Sequence, residues 1–216
     1  MELVDLTIPI EHAMPTHPGN PTAGFMPFTT VERDGFEQWS LALFTQIGTH
    51  IDAPRHFMQG GRPVDQLELN RCVGPATVVR VEGKTGDIIG PDVFAEHRDS
   101  IDRTRRVLLH TGWDRYLGAE EYFEQFPSLT VEAAHYLVHR GVLFLGMDTP
   151  SPHVTDYRGL HEALFANEMV IAESLVGLGQ LRADEVFLIA LPLKLTGLDG
   201  SPARVVAMDG VPDGMR

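Results

Sequence analysis

Fifteen prolines and twenty-one glycines scatter along the 216 residues as punctuation, and the apolar runs between them are of strand length. The longest, Val186 to Leu193 and Val142 to Met147, fall far short of the roughly 20 residues a membrane helix needs. Such a chain folds as many short elements around one core, and residues 1–216 are read as one domain. Apolar or β-branched enrichment predicts strands over Glu2–Ile10, Phe25–Glu32, Trp39–Phe44 running into Thr45–Phe57, Ala76–Val81, Arg106–His110, Val142–Met147, Val186–Leu191 and Arg204–Ala207. Helices are expected over Pro91–His97, Ala119–Phe126, Thr130–His139 and His161–Asn167. The fold class is therefore α/β, with a mixed sheet and strands outnumbering helices.

Charge narrows the partners. Seventeen Lys and Arg against thirty Asp and Glu give a formal −13. That field repels phosphate backbones and anionic lipid, so neither nucleic acid nor membrane is an expected partner. The N-terminal residues lack the basic start and apolar stretch of a signal peptide, which points to a cytoplasmic protein. Ten histidines stand beside a single cysteine, Cys72. One thiol can form neither an internal disulfide nor a thiolate zinc site, so a bound metal would rely on imidazole and oxygen.

The chemistry concentrates in Gln46-Ile47-Gly48-Thr49-His50-Ile51-Asp52-Ala53-Pro54-Arg55-His56-Phe57. If extended, period two places Gln46, Gly48, His50 and Asp52 on one face, with Gly48 leaving room at the centre for an ion or substrate. Pro54 ends the strand, and His56 can return toward the same point. Two imidazoles, a carboxylate and a carboxamide suit a divalent ion that prefers nitrogen and oxygen. A His-x-Asp pair is as often a surface hydrogen bond, and the spacing alone leaves both readings open.

The stretch also resembles the His-x-Gly-Thr-His-x-Asp-x-Pro-x-His signature of the cyclase-like metal-dependent hydrolases, the family of kynurenine formamidase (arylformamidase) and isatin hydrolase. Further matches follow in order: Gly146-Met147-Asp148-Thr149-Pro150-Ser151, His161 with Glu173 twelve residues on, Ala190 to Lys194, and Gly200 to Arg204. Asp5 to Pro9 and Pro18-Gly19 fit the N-terminus. The resemblance implies a swivelling β/β/α domain, assembled as a homodimer or larger homo-oligomer such as a tetramer, with active sites near the subunit interface. It implies a first metal position at Gln46, His50 and Asp52. A second would be held by Asp52, His161 and Glu173, so one or two zinc or manganese ions are expected. His56 matches the proton donor and acceptor, and His17, Ser151 and His153 fall where substrate contacts are expected. The activity implied is hydrolysis of a carbon–nitrogen bond in a small amide, arylformamide, or cyclic imide or lactam. A cyclase, lactonase or dehydratase on the same metal is the second enzyme reading, and a non-catalytic metal- or ligand-binding relative is the third.

Two departures matter. Gln46 replaces the first ligand histidine, which implies a weaker or empty first metal position and leaves a single-metal site open. His17 stands where the formamidases carry tryptophan, and losing that apolar wall points away from N-formylkynurenine as substrate. Other features read as structural: His135 and His139 on a solvated helix face, His110 at a strand end, Cys72 in the core, and Phe25, Phe28, Phe36, Trp39 and Phe57 as core aromatics. Residues Asp209 to Arg216 read as a loose tail.

Overall fold

A computed structural model of the chain describes residues 2–212 and 214. Twelve strands are assigned among them: β1 Leu3–Asp5, β2 Gly24–Thr29, β3 Gln38–Ala42, β4 His50–Asp52, β5 Val73–Arg80, β6 Ile88–Ile89, β7 Arg106–His110, β8 Ser128–Leu129, β9 Phe144–Met147, β10 Val170–Glu173, β11 Glu185–Pro192 and β12 Gly200–Met208. Strands outnumber helices, and the main sheet is mixed. Its order is β1-β12-β11-β5-β7-β9-β10-β4, and β4 pairs back onto β12, so seven strands close into a barrel-like ring. The run β5-β7-β9-β10 is parallel, and the remaining main-sheet pairings are antiparallel.

Period two divides the ring into two faces. Ile51, Val78, Leu108, Phe144, Ala172 and Leu188 belong to the core on one face. Val79, Val107, Leu109, Leu145, Met147 and Ile171 turn the other way, against helices Pro91–Ala95, Arg98–Thr104, Val131–His139 and Tyr157–Phe165. Near-continuous burial along the parallel strands follows from being covered on both faces. Close packing also fixes Gly146, whose added Cβ would lie 2.8 Å from both Leu108 and Leu175.

Several expectations need correction. Only Leu3–Asp5 of the strand expected over Glu2–Ile10 pairs as strand, because one edge of β12 is shared between β1 and β4. The continuous strand expected through Trp39–Phe57 breaks between β3 and β4, where Gly48 adopts φ +58. Its role is thus conformational: a Cβ there would meet Ile10 and Met14 at ordinary distance, so it does not keep open a space for an ion. Residues Ala119–Phe126 form only a 3₁₀ turn, Glu120–Phe123, with Tyr122 and Phe126 buried against Trp113. The helix expected from His161 begins at Tyr157, because Asp156 caps it by accepting from the Gly159 amide. Strand β2 ends at Thr29, which precedes a short helix, Val31–Asp34, capped by Thr30. Arg98–Thr104 and β10 are elements that the pattern did not announce.

Among the described residues the β2–β3 hairpin pairs only with itself. Met26, Phe28, Phe36, Trp39 and Leu41 are each at least half exposed, so of the expected core aromatics Phe28, Phe36 and Trp39 lie outside the core. Among the described residues no helix is long and apolar enough to cross a membrane. Asp213, Met215 and Arg216 of the expected tail lie outside the described residues.

Candidate metal centre and pocket

Strand β4 presents His50 and Asp52 on the helix-covered face while Ile51 enters the other core. Strand β10 lies antiparallel to it with Glu173 opposite His50, and register thus brings a third ligand type alongside the first two. Helix Tyr157–Phe165 supplies His161. Thr49 fastens the surrounding loops: its hydroxyl donates to the Ser174 carbonyl at 2.6 Å and accepts from the Ile8 amide at 2.9 Å.

All four groups are buried. His50 Nε2 lies 3.3 Å from Glu173 Oε2 and 3.7 Å from Asp52 Oδ1. His161 Nε2 lies 3.2 Å from Glu173 Oε1 and 3.5 Å from Asp52 Oδ2. Both imidazoles use Nδ1 on a main-chain carbonyl, His50 on Gly48 at 2.9 Å and His161 on Tyr157 at 2.6 Å. That leaves each Nε2 facing the carboxylates, as in histidines that ligate a metal while a carbonyl fixes the other ring nitrogen. Asp52 Oδ1, Asp52 Oδ2 and His50 Nε2 are buried without a hydrogen-bond partner. Orphaned acceptors around a pair of carboxylates need a cation, and the donor set fits a divalent ion of nitrogen and oxygen preference. Without one, protons serve: burial opposes charge on both imidazoles, but Glu173 and Asp52 outweigh it, raising His50 to about 9 and His161 to about 10.

His56 follows in the 3₁₀ turn Pro54–His56 and is a quarter exposed. Its Nδ1 donates to Asp199 Oδ2 at 3.0 Å. Burial opposes the imidazolium, but that bond together with the attraction of Asp52 and Glu173 outweighs burial and raises the pKa. In turn His56 holds the Asp199 carboxyl below the usual carboxylate range, against burial and with help from Thr45, whose hydroxyl donates to Oδ1 at 3.0 Å. Gln46 Nε2 also donates to Asp199 Oδ2 at 3.0 Å, a bond in which its carboxamide oxygen takes no part. Asp199 was not legible from motif spacing; its position beside Gly200-Ser201-Pro202 is the only signal.

A cavity of about 270 Å³ opens over this cluster. Gln46, His50, His56, His161 and Glu173 border it, as do His17 and Ser151. His17 stands edge-on to Phe123 and Tyr157, and its Nε2 lies 3.3 Å from the Tyr157 hydroxyl. Phe57 stacks on the His161 ring at 4.2 Å. His153 does not line the cavity. Its Nδ1 instead accepts from the Thr155 and Asp156 amides, bracing the turn before the helix. A second His–Asp–Asp cluster, His110 with Asp114 and Asp148, is also a brace, because Asp148 accepts from Thr111 and Gly112. Cys72 is fully buried, with its thiol pushed up to about 11 by burial, and is no nucleophile.

The family model described as "Putative cyclase" matches residues 4–154. The chain belongs to this cyclase family. Among its relatives, a kynurenine formamidase of Bacillus cereus is 33% identical over 209 residues, covering 95% of this chain and 96% of the relative. A solved structure titled as a potential metal-dependent hydrolase with cyclase activity is 27% identical, with TM-score 0.79, covering 98% of this chain and 99% of its own. An isatin hydrolase bound to the product analogue thioisatinate superposes with TM-score 0.84 over 95% and 91% of the two chains; at 24% identity it bears on the fold alone. The cyclase-family fold thus carries a buried His-Asp-Glu cluster and a pocket in this chain.

Proposed function

We propose that the protein is a metal-dependent hydrolase of a carbon–nitrogen bond in a small arylformamide, amide, or cyclic imide or lactam. The observation that carries this reading is the set of buried, unpartnered ligand atoms on His50 and Asp52, joined by Glu173 and His161, beneath an open pocket. Asp52, Glu173, His50 and His161 would hold the ion, zinc or manganese, and the Gln46 oxygen would complete a second, weaker position. When bound, a divalent ion acidifies water and polarises a carbonyl. His56 is the base that takes the proton from water at Nε2 and returns it to the leaving nitrogen. Asp199 is its positioning residue, because accepting from Nδ1–H keeps Nε2 free to receive that proton. The test is metal analysis of the purified protein with turnover assays on formanilide, simple amides and lactams in zinc and in manganese. Hydrolysis that falls with chelation and returns with the ion is expected; no hydrolysis of any member with either ion would sink the reading.

A homo-oligomer belongs to the same proposal. Strands β2 and β3 carry no charged residue, although the chain carries a formal −13, so two copies can meet there without opposing like charges. The exposed side chains of the hairpin offer on the order of 600 Å², near the roughly 800 Å² per partner of a standard interface. A second copy of this chain is the expected occupant. Light scattering should give an oligomer for the native protein and a folded monomer for Trp39→Asp/Leu41→Asp. A native monomer, or an oligomer that survives the substitutions, would refute the assignment.

A further inference from the structure

His17 sits in a turn that fixes which of its ring nitrogens carries the proton. The Asn20 amide donates to the His17 carbonyl at 3.0 Å, with Pro18 second in the turn and Gly19, at φ +91, third. Proline presets the first inner dihedral of such a turn, and glycine supplies the positive φ of the next. Within it His17 Nδ1 lies 3.1 Å from the Pro18 carbonyl oxygen. A carbonyl only accepts, so Nδ1 donates, and in the neutral ring Nε2 is left as an acceptor. The Tyr157 hydroxyl, 3.3 Å from Nε2, is therefore the donor of that bond.

A phenol has one proton. With it turned to His17, Tyr157 Oη keeps its lone pairs, and toward the cavity it can only accept. Burial and the charge of Glu173 push the phenol's pKa up, so the proton is retained. Tyr157 is partly exposed and borders the cavity together with His17. It is the first residue of the helix Tyr157–Phe165, so it shares a face with His161 one turn on, about 6 Å along the axis. The Tyr157 carbonyl accepts from His161 Nδ1 at 2.6 Å, which ties the acceptor to the cluster. A one-ring molecule seated over that cluster is within reach of Tyr157 Oη.

We propose that Tyr157 is a substrate-binding residue whose Oη accepts the N–H of a secondary amide, lactam or imide, with His17 as its positioning residue. The inference rests on the hydrolase reading for its substrate class and adds a selection within it, N–H compounds over N-alkylated ones. An N-alkylated analogue keeps the carbonyl but brings no donor, and it leaves the acceptor unpaired where water is displaced.

Calorimetric binding to the metal-loaded protein compares oxindole with N-methyloxindole, ring-locked lactams that differ only at nitrogen. Oxindole is expected to bind the native protein about tenfold more tightly. Tyr157→Phe should bring the two together by weakening oxindole. The methyl group also adds bulk, but a preference set by bulk persists in Tyr157→Phe and one set by the hydrogen bond does not. Equal native affinities, no binding of oxindole to the native protein, or a preference that Tyr157→Phe retains overturns the assignment. His17→Ala keeps the phenol and frees its proton, so the preference should shrink with metal content unchanged. An undiminished preference there refutes the positioning role of His17. Formanilide turnover, followed in parallel, keeps the two readings apart. Lost selectivity with turnover intact refutes the subsite alone, and absent turnover with the binding pattern intact refutes the hydrolase reading alone.

Discussion

Glu173→Ala is expected to lose the bound divalent ion and to lower kcat/KM on formanilide by on the order of 10⁴, the equivalent of several kcal/mol of metal-derived stabilisation. Glu173 is the carboxylate that both imidazoles approach more closely, His50 at 3.3 Å through one oxygen and His161 at 3.2 Å through the other, against 3.7 and 3.5 Å to Asp52. Removing it leaves Asp52 as the only carboxylate of the cluster. Glu173→Gln keeps the shape and removes the charge, so a matching loss in both variants assigns the effect to charge and not to a cavity. Metal content by atomic spectroscopy, and the rise in melting temperature on adding zinc or manganese, are the direct readouts. Both should vanish together with activity. Gln46→His should move the other way, lowering the metal concentration for half-maximal activity, because imidazole binds such ions more tightly than a carboxamide. An unchanged metal titration in Gln46→His would remove Gln46 from the ligand set. Retained metal in Glu173→Ala would move the centre elsewhere.

The parts of this site that the sequence disclosed are those set by local geometry. His50 and Asp52 share a face because a strand alternates, and Pro54 ends that strand and turns the chain so that His56 comes to line the same pocket. Glu173 is joined to them by a pairing between β4 and β10, two very short strands whose register no local pattern encodes, and His161 by the packing of helix Tyr157–Phe165 over that face. Only the family resemblance supplied that pair. Ring closure was equally hidden, because Gly200-Ser201-Pro202 has the composition of a turn but pairs with β4 as strand. Tyr122 was hidden because its segment has helical composition, whereas burial against Trp113 and Phe126 holds it in a 3₁₀ turn. The hairpin aromatics failed for the opposite reason. Apolar alternation reports a face that needs covering, and is silent on whether the same chain or another covers it.

His56→Ala is expected to lower kcat/KM by about 10² to 10⁴ with the ion still bound, since it removes a proton carrier and no member of the buried cluster. Asp199→Asn tests how the imidazole is held. The introduced carboxamide can present an amide N–H to Nδ1, which favours the tautomer whose Nε2 already carries the proton, and a loss of about 10² or more should follow. The pH profile gives the sign. Asp199 raises the His56 pKa, and His56 must be neutral to accept a proton, so the acid limb of kcat/KM lies above the ordinary imidazole range in the native enzyme. In Asp199→Asn that support disappears while burial still opposes the charge, and Asp52 and Glu173 supply only their weaker, more distant attraction. The acid limb should therefore move to lower pH even as the plateau falls. Because Asp199 also receives bonds from Gln46 and Thr45, metal content must be measured alongside. If Asp199 acts through His56, the double variant His56→Ala/Asp199→Asn is no slower than His56→Ala alone. A multiplicative loss in the double variant, with metal retained, would instead give Asp199 a contribution that does not pass through the imidazole.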